Sequence, residues 1–303
     1  MKKKLVFWVE RYFYNPTVCD RVLSFLLLPL SVLYCSLMFL RYKTQKLQDL
    51  EIPVIGVGNL NVGGSGKTPL VTALAKEFEK PAIVLRGYGR QTKGLVVVKQ
   101  DNIILCDVDE SGDEAMIYAQ KLSDTIVIVS EDRVKGILKA KELGAKVVFL
   151  DDAYSKHNIK KLDIVIEVES KNRFCLPSGP FRELLYSSKK NLIVVKEGRE
   201  FSRKVTIRNK TSKMSLVTAI ARPQRLDRFL PKEVIARHYF EDHHSFTKKE
   251  LEEILAKDKS ESLFVTYKDY VKIEKFGFKV SSLELDLELN ECFLKKVRGK
   301  YRL

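Results

Sequence analysis

The stretch Ile52-Pro53-Val54-Ile55-Gly56-Val57-Gly58-Asn59-Leu60-Asn61-Val62-Gly63-Gly64-Ser65-Gly66-Lys67-Thr68-Pro69 decides how the rest of the chain is read. It opens with a short apolar run of strand type, passes through a glycine-rich turn, and enters a helical pattern over Thr68–Phe78. Glycines let such a loop curl until successive backbone N–H groups point inward, and the helix amino end adds partial positive charge. Asn61, Val62, Gly63, Gly64, Ser65, Gly66, Lys67 and Thr68 are therefore expected to cradle phosphates. In this reading Lys67 reaches the terminal phosphates and Thr68 ligates Mg²⁺. The usual pattern has glycine where this chain has Asn61, a residue that tolerates left-handed backbone angles. A nucleoside triphosphate is the expected ligand.

Outward from that loop, β-branched runs alternate with helical patterns. Strands are expected at Ile52–Gly58, Ala82–Arg86, Ile126–Ser130, Lys146–Asp151, Asp163–Val168 and Asn191–Lys196, with helices over Asp113–Leu122 and Asp132–Leu143 between them. Near-continuous apolar strands with helical crossovers make a mostly parallel sheet flanked by helices, so the fold class is α/β and P-loop NTPase-like. Gly94–Lys99 and Asn102–Cys106 read as an added hairpin. A basic stretch, Arg199 through Lys213, marks the expected hinge to a smaller C-terminal α/β unit containing a strand at Ser262–Tyr267. The alternating Leu283–Leu289 (LELDLEL) reads as a half-exposed edge strand. The expected division is an anchor segment over 1–50, a nucleotide-binding domain over 51–205 and a smaller domain over 206–303.

The chain has 303 residues, 45% hydrophobic and 31% charged, which excludes a disordered or fibrous class. Its net charge of +15 favours anionic partners. Five scattered cysteines, never spaced C-x-x-C, argue against a disulfide framework or zinc site and fit a reducing cytosol. Val22–Leu40 holds no charged residue and has membrane length, with basic residues at both ends: Lys2, Lys3, Lys4, Arg11 and Arg21 ahead, Arg41, Lys43 and Lys46 behind. No small-residue cleavage site follows it. With Pro29 mid-run and tyrosines around it, three readings stand: a monotopic anchor, a full span, or a buried core helix.

Asp151-Asp152 follows an apolar strand, where carboxylates face the ligand crevice of an open α/β sheet and can hold a metal. A guanine-reading Asn/Thr-Lys-x-Asp is absent, since in Thr266-Tyr267-Lys268-Asp269 the Lys and Asp are adjacent. That argues against the alternative of a membrane-associated regulatory or targeting GTPase. Nucleic-acid binding has no recognisable module behind the charge.

Four further motifs stand outside the strands: Arg86-Gly87-Tyr88-Gly89-Arg90, Gly112-Asp113-Glu114, Leu176 through Glu183 (LPSGPFRE), and Asp242-His243-His244-Ser245-Phe246. With the phosphate loop, the apolar run, Ala221-Arg222-Pro223-Gln224-Arg225 and Val265 through Asp269, they resemble the tetraacyldisaccharide 4'-kinases, the lipid A 4'-kinase family of Gram-negative bacteria. The resemblance implies transfer of the ATP γ-phosphoryl group to the 4'-hydroxyl of an anionic acylated glucosamine disaccharide at the cytoplasmic face of the inner membrane. No obligate protein partner is evident. It further implies Asp113 as base with His243 as its partner, His244 being the alternative, and Lys67, Thr68, Asp151 and Asp152 handling charge with Mg²⁺. Arg182 suits a bidentate grip on phosphate, or else a salt bridge with Glu183 or another neighbour. Arg86, Arg90 and Arg133 are candidates for substrate contact, Arg86 and Arg90 alternatively for ordering their loop. The family's Asp-Asp-Gly-Phe-Gln-His is here Asp151 through Lys156, with Ser155 and Lys156 at the Gln and His positions and His157 one place later.

Overall fold

A computed structural model describes residues 2–186, 188–220 and 223–301. Ala221 and Arg222 of the carboxyl-terminal motif, Arg302, and the side chains of Lys2, Lys3 and Lys4 lie outside the described residues. Three helices come first, α1 (Lys2–Tyr14), α2 (Val18–Leu26) and α3 (Leu28–Thr44). There follow β1 (Val54–Asn59), α4 (Lys67–Ala75), β2 (Pro81–Leu85), β3 (Val96–Gln100), β4 (Ile103–Ile104), α5 (Val108–Ser111), α6 (Asp113–Lys121), β5 (Ile126–Val129), α7 (Arg133–Glu142), β6 (Val147–Asp151), β7 (Leu162–Ile166) and β8 (Leu192–Val195). Their eight strands form one sheet in the order β4-β3-β5-β2-β6-β1-β7-β8. All pairs are parallel except at the hairpin edge, where β3 runs against β5 and β4 against β3. Each face of the sheet has its own apolar cluster, one with α4 and α6 and one with α7, which is why the strands read as unbroken apolar runs.

β1 is buried along its whole length between β6 and β7. A side chain at Gly58 would meet Tyr154 Cβ at 2.7 Å, so glycine there lets the segment after β6 press against the start of the phosphate loop.

The second sheet contains β9 (Phe201–Arg208), β10 (Met214–Thr218), β11 (Val234–Tyr239), β12 (Ser262–Thr266) and β13 (Val280–Leu289), in the order β11-β10-β12-β13-β9. Between them run a 3₁₀ helix (Pro223–Phe229), α8 (Lys248–Asp258) and α9 (Tyr267–Ile273), and α10 (Glu291–Lys300) closes the chain. Two expectations are corrected here. Leu283–Leu289 lies in an interior strand, paired with β12 on one side and antiparallel to β9 on the other. Its leucines pack into the apolar clusters and the cleft, while Glu284 and Glu288 pair with Arg208 and Lys204 of β9, and Glu284 and Asp286 also reach Lys121 of α6. The basic stretch expected as a hinge supplies the true edge strand, β9, whose span crosses residues 205 and 206. Phe293, Leu294 and Val297 of α10 return to the apolar cluster of the first sheet, tying the units together.

The amino-terminal helices turn their polar side chains inward. Ser24 Oγ donates to the carbonyl of Ser178 at 2.6 Å, Ser31 Oγ to that of Cys175 at 2.9 Å, and Tyr34 Oη to that of Arg182 at 3.0 Å. Val22, Phe25, Leu30, Leu33, Leu37 and Leu40 are exposed. No single helix is long and apolar enough to cross a membrane, but α2 and α3, bent by 58° at Leu27 just ahead of Pro29, have the length and composition together. The cysteine expectation is also corrected. Cys35 and Cys175 form a disulfide with Cα atoms 6.3 Å apart, because α3 packs on the loop around residue 175, a proximity that spacing along the chain does not encode. Cys19, Cys106 and Cys292 are free.

Candidate active site

The phosphate loop is held open by its neighbours. Gly63 and Gly66 take φ of 94° and 84°, the left-handed angles that glycine adopts without cost. Asn61 does not share them: it makes an isolated bridge to Phe181, so its place is set by pairing rather than by left-handed tolerance. Val62 N donates to Pro180 O at 2.9 Å and Arg182 N to Leu60 O at 2.8 Å, so the segment carrying Arg182 is laced to the loop. Asn59, buried at the carboxyl end of β1, joins the charged groups. Its Nδ2 donates to Asn61 O, while its Oδ1 accepts from Arg182 Nη2 at 2.9 Å and from Lys67 Nζ at 3.4 Å. The sequence reading missed this residue, although a polar side chain ending an apolar strand beside the loop was its signal.

Arg182 does not pair with Glu183. It donates to both carboxylate oxygens of Asp152, which also lies 3.5 Å from Lys67 Nζ. Burial raises Asp152, but the Lys67 and Arg182 charges outweigh it and hold the carboxyl below its usual range. Asp151 is different. It is buried, its Oδ2 accepts from Tyr118 Oη at 2.7 Å, and its Oδ1 has no protein partner. Burial holds its pKa above the ordinary carboxylate value. Thr68, which also acts on the Tyr118 hydroxyl, follows Lys67 at the start of α4. Among the described residues no cluster of three or more His, Cys, Asp or Glu side chains forms a metal cage. A hydroxyl and a carboxylate oxygen without a protein partner, next to a phosphate cradle, nonetheless suit a cation that takes most of its ligands from phosphate and water.

Asp113 starts α6 and is buried. His243 Nδ1 reaches its Oδ2 at 2.9 Å from the other unit, in a bent approach that leaves Oδ2 without an in-line hydrogen bond. Lys268 and Lys272, both on α9, stand 3.6 and 3.5 Å from the same oxygen. Burial alone would raise the Asp113 carboxyl, but the His243 contact and the two lysines hold it down at about 2. Glu114, the next residue, is pushed up to about 7 by burial and by the charges of Asp151 and Asp113. Tyr88, between Gly87 and Gly89, lays its ring 4.8 Å from the His243 ring. His244 instead pairs with Glu250 at 3.0 Å and stacks on Phe240.

The remaining candidates are dispersed. Arg90 is engaged with Glu131 at 2.5 Å, the Gly94 carbonyl and Thr92, contacts that order its loop. Arg86 is exposed. Arg133 is buried with one guanidinium contact, to Ser130 O, and burial lowers its pKa. His157 sits among the rings of Tyr42, Tyr154 and Tyr186. Lys156 has its pKa lowered by burial and by the charges of Arg133, Arg41 and Arg86. Asp269 is buried and accepts from Thr218, Thr266 and Ala219 N, so it fastens α9 to the second sheet and reads no base.

The loop, Thr68, Glu114, His243 and Lys268 line one cleft of about 790 Å³ between the two units. From the second unit Arg225 closes on it, its Nη1 donating to Gly64 O at 3.2 Å. The family model for tetraacyldisaccharide-1-P 4'-kinase matches residues 23–302. The chain belongs to this family. It is 48% identical over 299 residues to the tetraacyldisaccharide 4'-kinase of Campylobacter jejuni subsp. doylei, an alignment covering 98% of this chain and 96% of the relative. It is 44% identical to that of Aliarcobacter butzleri (96% and 95% covered) and 44% identical to that of Helicobacter pylori (96% and 93% covered). The crystal structure of the "apo" form of LpxK from Aquifex aeolicus in complex with ATP superposes with a TM-score of 0.74 at 25% identity, covering 92% of this chain and 99% of that one.

Proposed function

We propose that the chain is an ATP-dependent lipid A 4'-kinase. It moves the γ-phosphoryl group of ATP to the 4'-hydroxyl of a tetraacylated glucosamine disaccharide 1-phosphate. The observation that carries this reading is one cleft lined by the glycine-rich loop, His243 and Lys268, with the buried, ionised carboxylate of Asp113 held directly behind His243 and Lys268. Phosphoryl transfer asks the protein mainly for positioning and for neutralisation of charge.

The acceptor's 4'-oxygen forms a bond to the γ-phosphorus as the bond to the β,γ-bridging oxygen breaks, and ADP departs. The hydroxyl proton passes to Asp113, which His243, Lys268 and Lys272 keep unprotonated. Lys67 and Arg182, joined through Asn59 and Asp152, face the charge that develops on the transferred group. Mg²⁺, held by Thr68 and Asp151, would add charge neutralisation on the phosphates. Asp152, already paired with Arg182 and Lys67, positions those cations. Arg86 and Arg133 are the candidates for the acceptor's own phosphate.

The amino-terminal helices place this chemistry at a bilayer. With serines and tyrosines spent on the 175–182 loop and leucines outward, the face of α2 and α3 suits partial insertion at the cytoplasmic face of the inner membrane. The same loop carries Arg182, so the anchor and the phosphate grip share one support. The division into an anchor, a nucleotide-binding unit and a smaller carboxyl-terminal unit follows, with the acceptor entering between the second and third. Transfer of label from γ-labelled ATP to the tetraacyl disaccharide 1-phosphate tests the reading: labelled lipid supports it, and ATP binding without labelled lipid overturns it.

A further inference from the structure

The Thr266 through Asp269 motif failed as a guanine reader, and its Asp is a structural fastening. Its Lys268 is left to explain. Its ammonium lies 3.3 Å from His243 Nε2, 3.6 Å from Asp113 Oδ2 and 3.3 Å from Asp242 Oδ1. We propose that Lys268 is a positioning residue that fixes His243 as the neutral Nδ1–H tautomer, with Nε2 accepting from the ammonium and the single proton on the ring nitrogen that lies 2.9 Å from Asp113 Oδ2.

The chemistry of the donors decides this. A lysine ammonium has three N–H donors and no acceptor, so the ring nitrogen facing it must offer a lone pair. The one ring proton then sits on Nδ1, 2.9 Å from the Asp113 carboxylate. The opposite tautomer would set an N–H against an ammonium at one end and a lone pair against a carboxylate at the other. The groups facing His243 are Asp113 from α6, Lys268 from α9, Asp242 beside it in the chain, with Oδ2 3.8 Å from Nε2, and the Tyr88 ring. Lys272, also on α9, faces Asp113 and Asp269 rather than the ring. Asp242 is thus the group that would draw a second proton onto Nε2 once the ammonium is gone, making an imidazolium locked between two carboxylates. Lys268 keeps the ring neutral and Asp113 free to accept a proton. The tautomer follows from geometry alone, and only its catalytic consequence rests on the kinase reading.

The chain has four histidines, so their ring nitrogens are separable by ¹H–¹⁵N NMR of the full-length protein. His243 has φ of 63°, which asparagine accepts, so His243→Asn assigns its signals. The expected wild-type spectrum near neutral pH shows His243 protonated on Nδ1 only. Lys268→Met is expected to lose the single-proton state, with Nε2 turned to Asp242 and carrying a proton under conditions where wild type shows Nδ1–H alone. Lys268→Arg, which still donates, keeps the wild-type tautomer. A wild-type Nε2–H tautomer, or a Lys268→Met protein whose His243 keeps the wild-type pattern of ring protons, overturns the proposal. If Lys268→Met does not fold, the wild-type and Lys268→Arg spectra still decide it. Because the spectra need neither ATP nor lipid, a failed tautomer and a failed kinase assignment are told apart.

Discussion

Two neighbouring carboxylates of the first sheet's unit, Asp113 and Glu114, meet different charges. His243, Lys268 and Lys272 of the second unit close on Asp113, while the cleft beside it mixes both signs, with Lys67 and Glu114 on one side and Lys268, Arg225 and Asp242 on the other. Contacts with His243, Lys268 and Lys272 hold Asp113 down at about 2, whereas Glu114 is pushed up to about 7 because burial and the charges of Asp151 and Asp113 outweigh that of Lys268. Position along the chain does not separate them, but the contacts each one makes do. The same contrast divides Asp152, paired with Arg182 and Lys67, from Asp151, whose second oxygen has no protein partner.

The largest effects are expected where the site loses a charged group that faces the transferred phosphate or its acceptor. Asp113→Ala and Lys67→Ala should each lower phosphoryl transfer by about 10³-fold in a steady-state assay, with the circular dichroism of the folded protein kept. Arg182→Ala should cost about 10²-fold, and Arg182→Lys should recover little, since a single ammonium cannot reproduce a grip on both Asp152 oxygens.

Next come α2 and α3, which carry serines inward and leucines outward. Replacing exposed Leu33 and Leu37 together by Asp should weaken binding to anionic vesicles about tenfold or more in a sedimentation assay. It should leave turnover of a soluble acceptor analogue near wild type.

The smallest effect is a stability signature of the Asp113–Glu114 contrast. Glu114 titrates at about 7 folded against 4.5 for an unperturbed glutamate. The folded protein therefore keeps a proton that the unfolded chain loses, and stability falls as pH rises from 4.5 through 7. Asp113, at about 2 against 3.8, works the other way: its contribution is present above 3.8 and is lost as pH falls toward 2. The melting temperature of the ligand-free protein should drop by a few degrees across the first interval, and Glu114→Gln should flatten that drop.

Much of the fold was legible because the strands of the first sheet are buried on both faces and read as apolar runs bounded by turns. The turn between β1 and α4 was legible because its glycines are closely spaced, and Gly63 and Gly66 take the left-handed angles there. What the sequence left hidden is mostly contact between distant segments. Asn59 meets Arg182 across 123 residues, Cys35 meets Cys175 across 140, and Lys268 reaches Asp113 from another unit. Leu283–Leu289 misled because alternation of leucines with acids also suits an interior strand, whose leucines pack into apolar clusters and the cleft while its acids form ion pairs. The apolar run over 22–40 showed length without orientation. Ser24 and Ser31, pointing inward, supply it.

The proposed reaction moves phosphate onto a lipid hydroxyl with Lys67 and Asp113 acting together. Its most direct test is label transfer from γ-labelled ATP to the tetraacyl disaccharide 1-phosphate, run beside ATP binding on wild type and Asp113→Ala. The account predicts labelled lipid from wild type, and ATP binding without transfer from the variant. Wild-type protein that binds ATP yet labels no lipid, or a variant that labels it at the wild-type rate, would contradict it.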